Sequence, residues 1–320
     1  MQYKGTYKGL NNVSKSVVGN RIKRLILTLI FLITLFSTIF IFTSKFINKN
    51  HSIILSKEEI QIYINVADEL SESGYQLNWQ EIAAISSVLN NGSFTINNEN
   101  ISIIENALLI KDNEGNIVGT NSFKNAIKNL ELDSEGRELA IRNLERIRNN
   151  YLNENLLNDK EKLKFIEDVS KVAFDNYKKF GVLPSITISQ AILESGWGES
   201  TLSSEYNNLF GIKADSRWSG KKVELETKEN YDDVIVGAFR AYDDLDSSIE
   251  DHGKFLYENE RYAKNGLFTG KTYIEQAQAL ENAGYSTAKD EEGNLIYADK
   301  LIRVIQENNL MLYDNIIERK

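Results

Sequence analysis

The run Ser189-Gln190-Ala191-Ile192-Leu193-Glu194-Ser195-Gly196-Trp197-Gly198 decides the reading of this chain, because it sets one carboxylate where negative charge is poorly accommodated. Upstream, Pro184-Ser185 reads as a helix start with Ser185 as N-cap, and Ile186, Ile188, Ala191, Ile192 and Leu193 supply apolar surface. Gly196 reads as the stop, since glycine accepts the left-handed conformation just past a helix end. Glu194 then falls in the last turn, where unpaired carbonyls carry partial negative charge, and Ile192, Leu193 and Trp197 crowd it. Both effects disfavour the ionised form and raise the pKa, as a general acid working near neutral pH requires. The competing reading is an ordinary surface glutamate near a helix end.

Four further blocks follow in order: Tyr206-Asn207-Asn208-Leu209-Phe210-Gly211-Ile212-Lys213, Ala238-Phe239-Arg240-Ala241-Tyr242, Ser248-Ile249 with Asp251-His252, and Ala283-Gly284-Tyr285. In this order and spacing the blocks closely resemble the glucosaminidase domain of bacterial autolysins, glycoside hydrolase family 73, over roughly Lys162 to Tyr313. One short motif is weak evidence, but five ordered blocks make chance a poor explanation. The resemblance implies a lysozyme-like fold that cuts the glycan strands of peptidoglycan.

The distribution of charge says more than its net value of −9. Residues 1–24 carry Lys4, Lys8, Lys15, Arg21, Lys23 and Arg24 and no acid. Leu25 to Ser44 holds no charged residue and is rich in Leu, Ile and Phe. A helix of that length reaches roughly 30 Å, the hydrocarbon thickness of a bilayer. A cleaved signal peptide is the alternative, but its apolar core is shorter and ends in a small-x-small site, which Phe-Thr-Ser-Lys-Phe lacks. An uncleaved anchor is therefore expected, with the basic flank cytoplasmic and the rest of the chain on the cell-wall side of the membrane. Residues 51–320 hold 29 Lys/Arg against 46 Asp/Glu, and so acidic a surface argues against nucleic acid as a partner. The absence of cysteine excludes disulfides and thiolate metal sites, and with only His51 and His252 neither a metal site nor a cofactor is expected.

The expected fold is mainly α. A basic cytoplasmic tail (1–24) and a transmembrane anchor (25–44) precede a helical juxtamembrane region of unknown role (51–155) and a lysozyme-like helical domain with a small β-hairpin (160–316). In the juxtamembrane region, Ile60, Ile64, Ala67 and Leu70 recur at helical spacing, as do Trp79, Ile82, Ala83, Ile85, Ser86 and Leu89, with Trp79 expected in the core. Asn91-Gly92-Ser93 and Asn113-Glu114-Gly115 signal turns, and Glu138 to Tyr151 a third helix. Lys162 to Lys179 predicts the first helix of the second domain. Val223, Leu225 and Thr227, then Ile235, Gly237 and Phe239, predict two strands, and helices resume near Ser247–Tyr257, Thr272–Asn282 and Tyr297–Gln306. No internal repeat is apparent.

Glycosidic cleavage needs an acid for the leaving oxygen and a group that stabilises or attacks the oxocarbenium-like centre. Glu194 fits the first role. For the second, side-chain alternation turns Glu224 and Glu226 away from the face of Val223, Leu225 and Thr227, whereas Glu229 shares that face at the strand end. The resemblance matches Thr227-Lys228-Glu229 to the family's Thr-x-Glu before the turn. Glu229 is the first choice, Glu226 the second, and assistance by the substrate's own N-acetyl group the third. Sugars stack on aromatic faces, which makes Trp197, Tyr206, Trp218, Tyr242 and Tyr285 candidate substrate contacts, Tyr285 because the matching family tyrosine lies in the active site. Phe210 and Phe239 read as core. Asn208, like Asn207, either binds N-acetyl groups or caps the next turn. For His252, beside Asp251, a structural hydrogen bond is expected rather than proton transfer. The six-residue insertion Lys289–Asn294 after the Gly-Tyr loop departs from the family pattern at one end of the cleft.

The expected function is a membrane-anchored endo-β-N-acetylglucosaminidase acting on GlcNAc-β-1,4-MurNAc bonds, with peptidoglycan strands as partner. A lytic transglycosylase and a non-catalytic wall-binding scaffold are the alternatives.

Overall fold

Ile53–Lys320 forms one compact unit. The computed structural model describes residues 55–71, 74–148, 159–229 and 233–317, with the side chains of 227–229, 233–235 and 316–317 left aside. The tail 1–24, the anchor 25–44 and the domain limits placed at 51 and 155 lie outside the described residues. Among those described, no helix is long and apolar enough to cross a membrane.

The unit is mainly helical. Its first half contains α1 (Lys57–Ser71), α2 (Trp79–Leu89), α3 (Asn98–Leu108), the short hairpin β1 (Leu109–Lys111) and β2 (Ile117–Thr120), α4 (Phe123–Asn129) and α5 (Ser134–Arg148). Helix α2 is its centre: Trp79 through Ser87 are all buried, with the Asn78 side chain accepting from the Gln80 amide at the N-terminus. Trp79 is core, as its apolar spacing predicts.

The second half runs α6 (Lys160–Phe180), α7 (Pro184–Ser195), α8 (Thr201–Tyr206), β3 (Lys222–Glu229), β4 (Asp233–Arg240), α9 (Leu245–Glu258), α10 (Glu260–Lys264), α11 (Tyr273–Asn282), α12 (Tyr297–Glu307) and α13 (Met311–Ile317). The long helices fall where the periodicity puts them. Thr272 opens α11 with a capping box closed by Glu275, and Gly181 and Gly196 end α6 and α7 in the left-handed conformation.

Helix α7 is buried on nearly every side, from Pro184 to Ile192 and again at Ser195. A helix so enclosed satisfies most of its polar side chains internally, although Thr187 Oγ1 and Gln190 Oε1 are buried without a hydrogen-bond partner. Ser189 Oγ donates to the Ile186 carbonyl, Ser195 Oγ to that of Ala191, and Gln190 Nε2 to Tyr297 Oη. One expectation needs correcting here. The N-cap is Leu183, and Ser185 sits inside the first turn, where its amide and hydroxyl both donate to Asp314 (2.9 and 2.6 Å). The helix is capped from α13, because a buried aspartate meets the unpaired amides and the positive end of the helix dipole at once.

The two halves share one continuous hydrophobic core. Asp68 of α1 accepts hydrogen bonds from Tyr273 of α11 and Gln306 of α12. The expectation of no internal repeat also needs amending. Lys111-Asp112-Asn113-Glu114-Gly115-Asn116 and Lys289-Asp290-Glu291-Glu292-Gly293-Asn294 share K-D-x-E-G-N and form the same turn. In each, the aspartate Oδ1 accepts from two following amides and the glycine takes a positive φ. The first is the β1–β2 loop, and the second is the insertion, closed by a Lys289–Leu295 bridge.

Candidate functional site

The C-terminal end of α7 delivers Glu194 to a cluster built from the two segments that flank the inserted turn. Tyr297, the first residue of α12, donates its hydroxyl hydrogen to Glu194 Oε1 at 2.7 Å while accepting from Gln190 Nε2 at 3.1 Å. A chain of hydrogen bonds in one direction polarises each member and fixes the carboxyl group. Helix α12 is itself held at its first turn, where the Ala298 amide donates to Glu281 Oε2 at 3.0 Å. Tyr285 stacks on Tyr297, with ring centroids 5.2 Å apart and planes 19° apart.

Glu194 keeps exposed surface, yet protein crowds its carboxyl group. Desolvation is the largest influence and raises the pKa above its ordinary 4.5; the Tyr297 hydrogen bond and the Lys300 charge oppose it. The direction agrees with the sequence reading, but the partner that tempers it was not foreseen. Burial, then the charge of Glu194, also raises the Tyr285 phenol well above its usual range.

A consequence for stability follows. Between the ordinary carboxylate value and the raised folded one, the folded chain binds more protons than the unfolded chain. Its stability contribution is therefore present below pH 4.5 and lost as pH rises through the folded value. Glu194→Gln removes this titration while keeping an acceptor for Tyr297. The Tm advantage of the variant over wild type should thus grow from pH 4 to pH 7 in scanning calorimetry. A constant difference across that range would show that Glu194 is not desolvated.

Behind Tyr285 lies His252 on α9, fully buried, stacked on Phe210 at 3.7 Å and 7°. Burial pushes its pKa down to about 3, so it is a neutral imidazole. Its nearest polar contact is Tyr285 Oη at 3.5 Å, and Asp251 turns elsewhere, accepting from Arg240 and Tyr242 at 2.7 Å each. The hydrogen bond expected of His252 is thus a long contact with Tyr285.

The other predicted residues take separate places. Asn208 is buried, and both polar atoms of its side chain are engaged: Nδ2 donates to the carbonyls of Ile212 and Arg240, and Oδ1 accepts from the Ile212 amide. It ties the Asn-Leu-Phe-Gly loop to β4. Asn207 ends α8 with a left-handed backbone, and its side chain donates to the Tyr242 carbonyl. Tyr206 is half-buried and its carbonyl accepts from the Tyr242 amide. Trp197, at φ 64°, packs edge-on against Phe165 at 6.0 Å, with the Lys162 ammonium 5.3 Å from its ring. Trp218 lies 4.5 Å from the Arg240 guanidinium and edge-on to Tyr242 at 5.8 Å. Phe210 and Phe239 are core residues, as expected.

On the hairpin, Val223 and Leu225 are half-buried while Glu224 and Glu226 are exposed, so the predicted alternation holds along this part of β3. Glu229 ends the strand opposite Asp233, and its side chain lies outside the described residues. The residues brought together around Glu194 are therefore Tyr285, Tyr297 and Gln190. The last two were missed, since nothing near either residue in sequence signals its link to Glu194. Among the described residues, no group of three or more His, Cys, Asp or Glu side chains is placed to hold a metal ion.

Residues 170–310 match the glucosaminidase family, described as mannosyl-glycoprotein endo-beta-N-acetylglucosaminidase. The chain is 38% identical over 159 residues to exo-glucosaminidase LytG of Bacillus subtilis, covering 48% of this chain and 53% of LytG. It is 36% identical over 156 residues to peptidoglycan hydrolase FlgJ of Vibrio cholerae, covering 47% and 45%. The chain thus spans about half the length of these curated relatives. It is also similar to the catalytic domain of the autolysin Auto from Listeria monocytogenes, at 33% identity, 48% coverage of this chain, 88% of that one and a TM-score of 0.41. Through residues 170–310, the chain belongs to the glucosaminidase family, glycoside hydrolase family 73.

Proposed function

We propose that this chain is a membrane-anchored peptidoglycan hydrolase, an endo-β-N-acetylglucosaminidase that cleaves GlcNAc-β-1,4-MurNAc bonds with Glu194 as general acid. The observation that carries this reading is a desolvated carboxyl group at a helix end, oriented by Tyr297 and facing an aromatic pair. Desolvation moves its pKa upward, in the direction a general acid for the departing glycosidic oxygen needs. The names of LytG and FlgJ support a glycan substrate in the wall. Retention at the membrane rests on the uncharged stretch 25–44, with the six basic residues before it inside.

Digesting purified peptidoglycan, reducing the products with borohydride and identifying the sugar alcohol tests the bond. Reduced GlcNAc ends on shortening strands are the expected result, and reduced MurNAc ends would sink the assignment. A product lighter by one water marks a lytic transglycosylase. Release of terminal units alone marks the exo-action named for LytG, and binding without clearing marks a scaffold.

Glu229 is proposed as the second carboxylate, activating water across the cleft. It shares strand parity with Val223 and Leu225, while Glu226 is exposed on the other face. Glu229→Gln should lower turnover by about 100-fold through loss of general base catalysis and leave glycan binding largely intact, while Glu226→Gln stays near wild type. The reverse ordering in steady-state assays would move the role to Glu226. Full activity in both variants would assign it to the substrate's N-acetyl group.

A further inference from the structure

A cleft of about 580 Å³ lies at the other end of α7 from Glu194. Its lining includes Asp314, whose carboxylate caps the Ser185 end of that helix. Nine residues of helix, roughly 14 Å at 1.5 Å per residue, separate Ser185 from Glu194, so the cleft is distinct from the carboxyl cluster. Both halves of the chain build it. Tyr75 comes from the segment after α1, Tyr177 from the end of α6, and Phe268 and Lys271 from the loop before α11.

Two features single it out. Tyr75, Tyr177 and Phe268 are each only half-buried, and the Lys271 ammonium stands 4.8 Å from the Tyr75 ring, so aromatic surface and a cation face one space. The aromatic surface also continues outside the cleft. Tyr257 packs edge-on to Phe268 at 5.7 Å and against Phe180 at 5.6 Å, yet leaves 58% of its surface in solvent. Tyrosines in a core are covered; this one is held in a ladder of rings and left open.

We propose that this cleft and the Tyr257 ladder form a second saccharide-binding site, for the carboxylate-bearing glycan strand of peptidoglycan. The site holds the chain on its substrate independently of cleavage, and the proposal rests on the wall-glycan reading above. Pyranose rings present flat C–H faces that pack on the electron-rich faces of aromatic rings, and successive rings suit successive sugars. Lys271 pairs with carboxylates on the strand's peptide substituents. The Asp314 carboxylate in the same lining is turned to the Ser185 amide and hydroxyl at the positive end of α7, which offsets part of its charge.

The test uses the full chain carrying Glu194→Gln, so that nothing is digested, in sedimentation assays with sacculi chemically stripped of anionic polymers and with chitin beads. Adding Tyr257→Ala, alone or with Tyr75→Ala, should weaken binding to both materials, by at least 5-fold for the pair. Lys271→Ala should weaken binding to sacculi and leave chitin binding unchanged. In the active chain, the tyrosine variants should keep wild-type turnover on soluble glycan fragments. Because Tyr257 is exposed, its alanine variant probes the surface without removing core. Unaltered sacculus binding in the double variant would overturn the proposal. So would binding that disappears once anionic polymers are stripped, which would make those polymers the ligand. Lost turnover on soluble fragments would place the tyrosines in the catalytic cleft instead. If wild type cleaves no glycan but its binding still depends on Tyr75 and Tyr257, the cleavage reading fails and this site stands.

Discussion

Glu194→Gln should lower kcat/KM on peptidoglycan fragments by about 100-fold or more while preserving the fold, because the amide keeps the shape of the carboxyl but has no acidic proton to give. Tyr297 can still donate its hydrogen to the Gln side-chain oxygen, so the hydrogen-bonded chain from Gln190 is not broken on the protein side. The cost therefore falls on the chemical step and appears in kcat rather than KM. Retention of more than a tenth of wild-type kcat/KM, in a variant folded by circular dichroism and melting normally, would remove Glu194 from the acid role.

The largest expected effect on stability comes from Arg240→Ala. The guanidinium of Arg240 lies at the end of β4, 2.7 Å from Asp251 Oδ2, and both side chains are largely buried, at 11% and 16% exposure. It lies close to the rings of Trp218 and Phe255, at 4.5 and 6.0 Å. Removing one member of a buried pair leaves the other charge uncompensated, at a cost of about 3 kcal/mol or more. Tyr242 still donates to Asp251, which softens the loss without neutralising the charge. Urea denaturation should show the midpoint falling at constant slope. Arg240→Ala combined with Asp251→Asn should recover part of the loss, since the stranded charge is then gone. A single-variant loss below about 0.5 kcal/mol would mean that water screens the pair as it does a surface ion pair.

Residues near one another in sequence made much of the second half readable. The apolar spacing from Phe165 to Ala173, the alternation from Val223 to Phe239, and the helix near Thr272–Asn282 all reflect local backbone geometry, which a short window of residues reports directly. The position of Glu194 was equally legible, because Gly196 ends the helix by a rule that involves only its own conformation. The resemblance to the glucosaminidase family came from five ordered blocks, and the family match at 170–310 bears it out.

The amino-acid sequence by itself determined the helical class, the strand parity on either side of Glu224, and the turn that presents Glu194. Only the tertiary structure decided what meets that carboxyl group. Tyr297 is 103 residues away and reaches it because α12 packs beside α7; nothing within several residues of either side chain announces the contact. The same holds for Asp314, which replaces the expected Ser185 cap from 129 residues away, and for the core that joins α1 to α11 and α12. Hydrogen bonds and buried charges between distant segments depend on which faces meet after collapse. Helix ends and strand alternation are properties of the local chain.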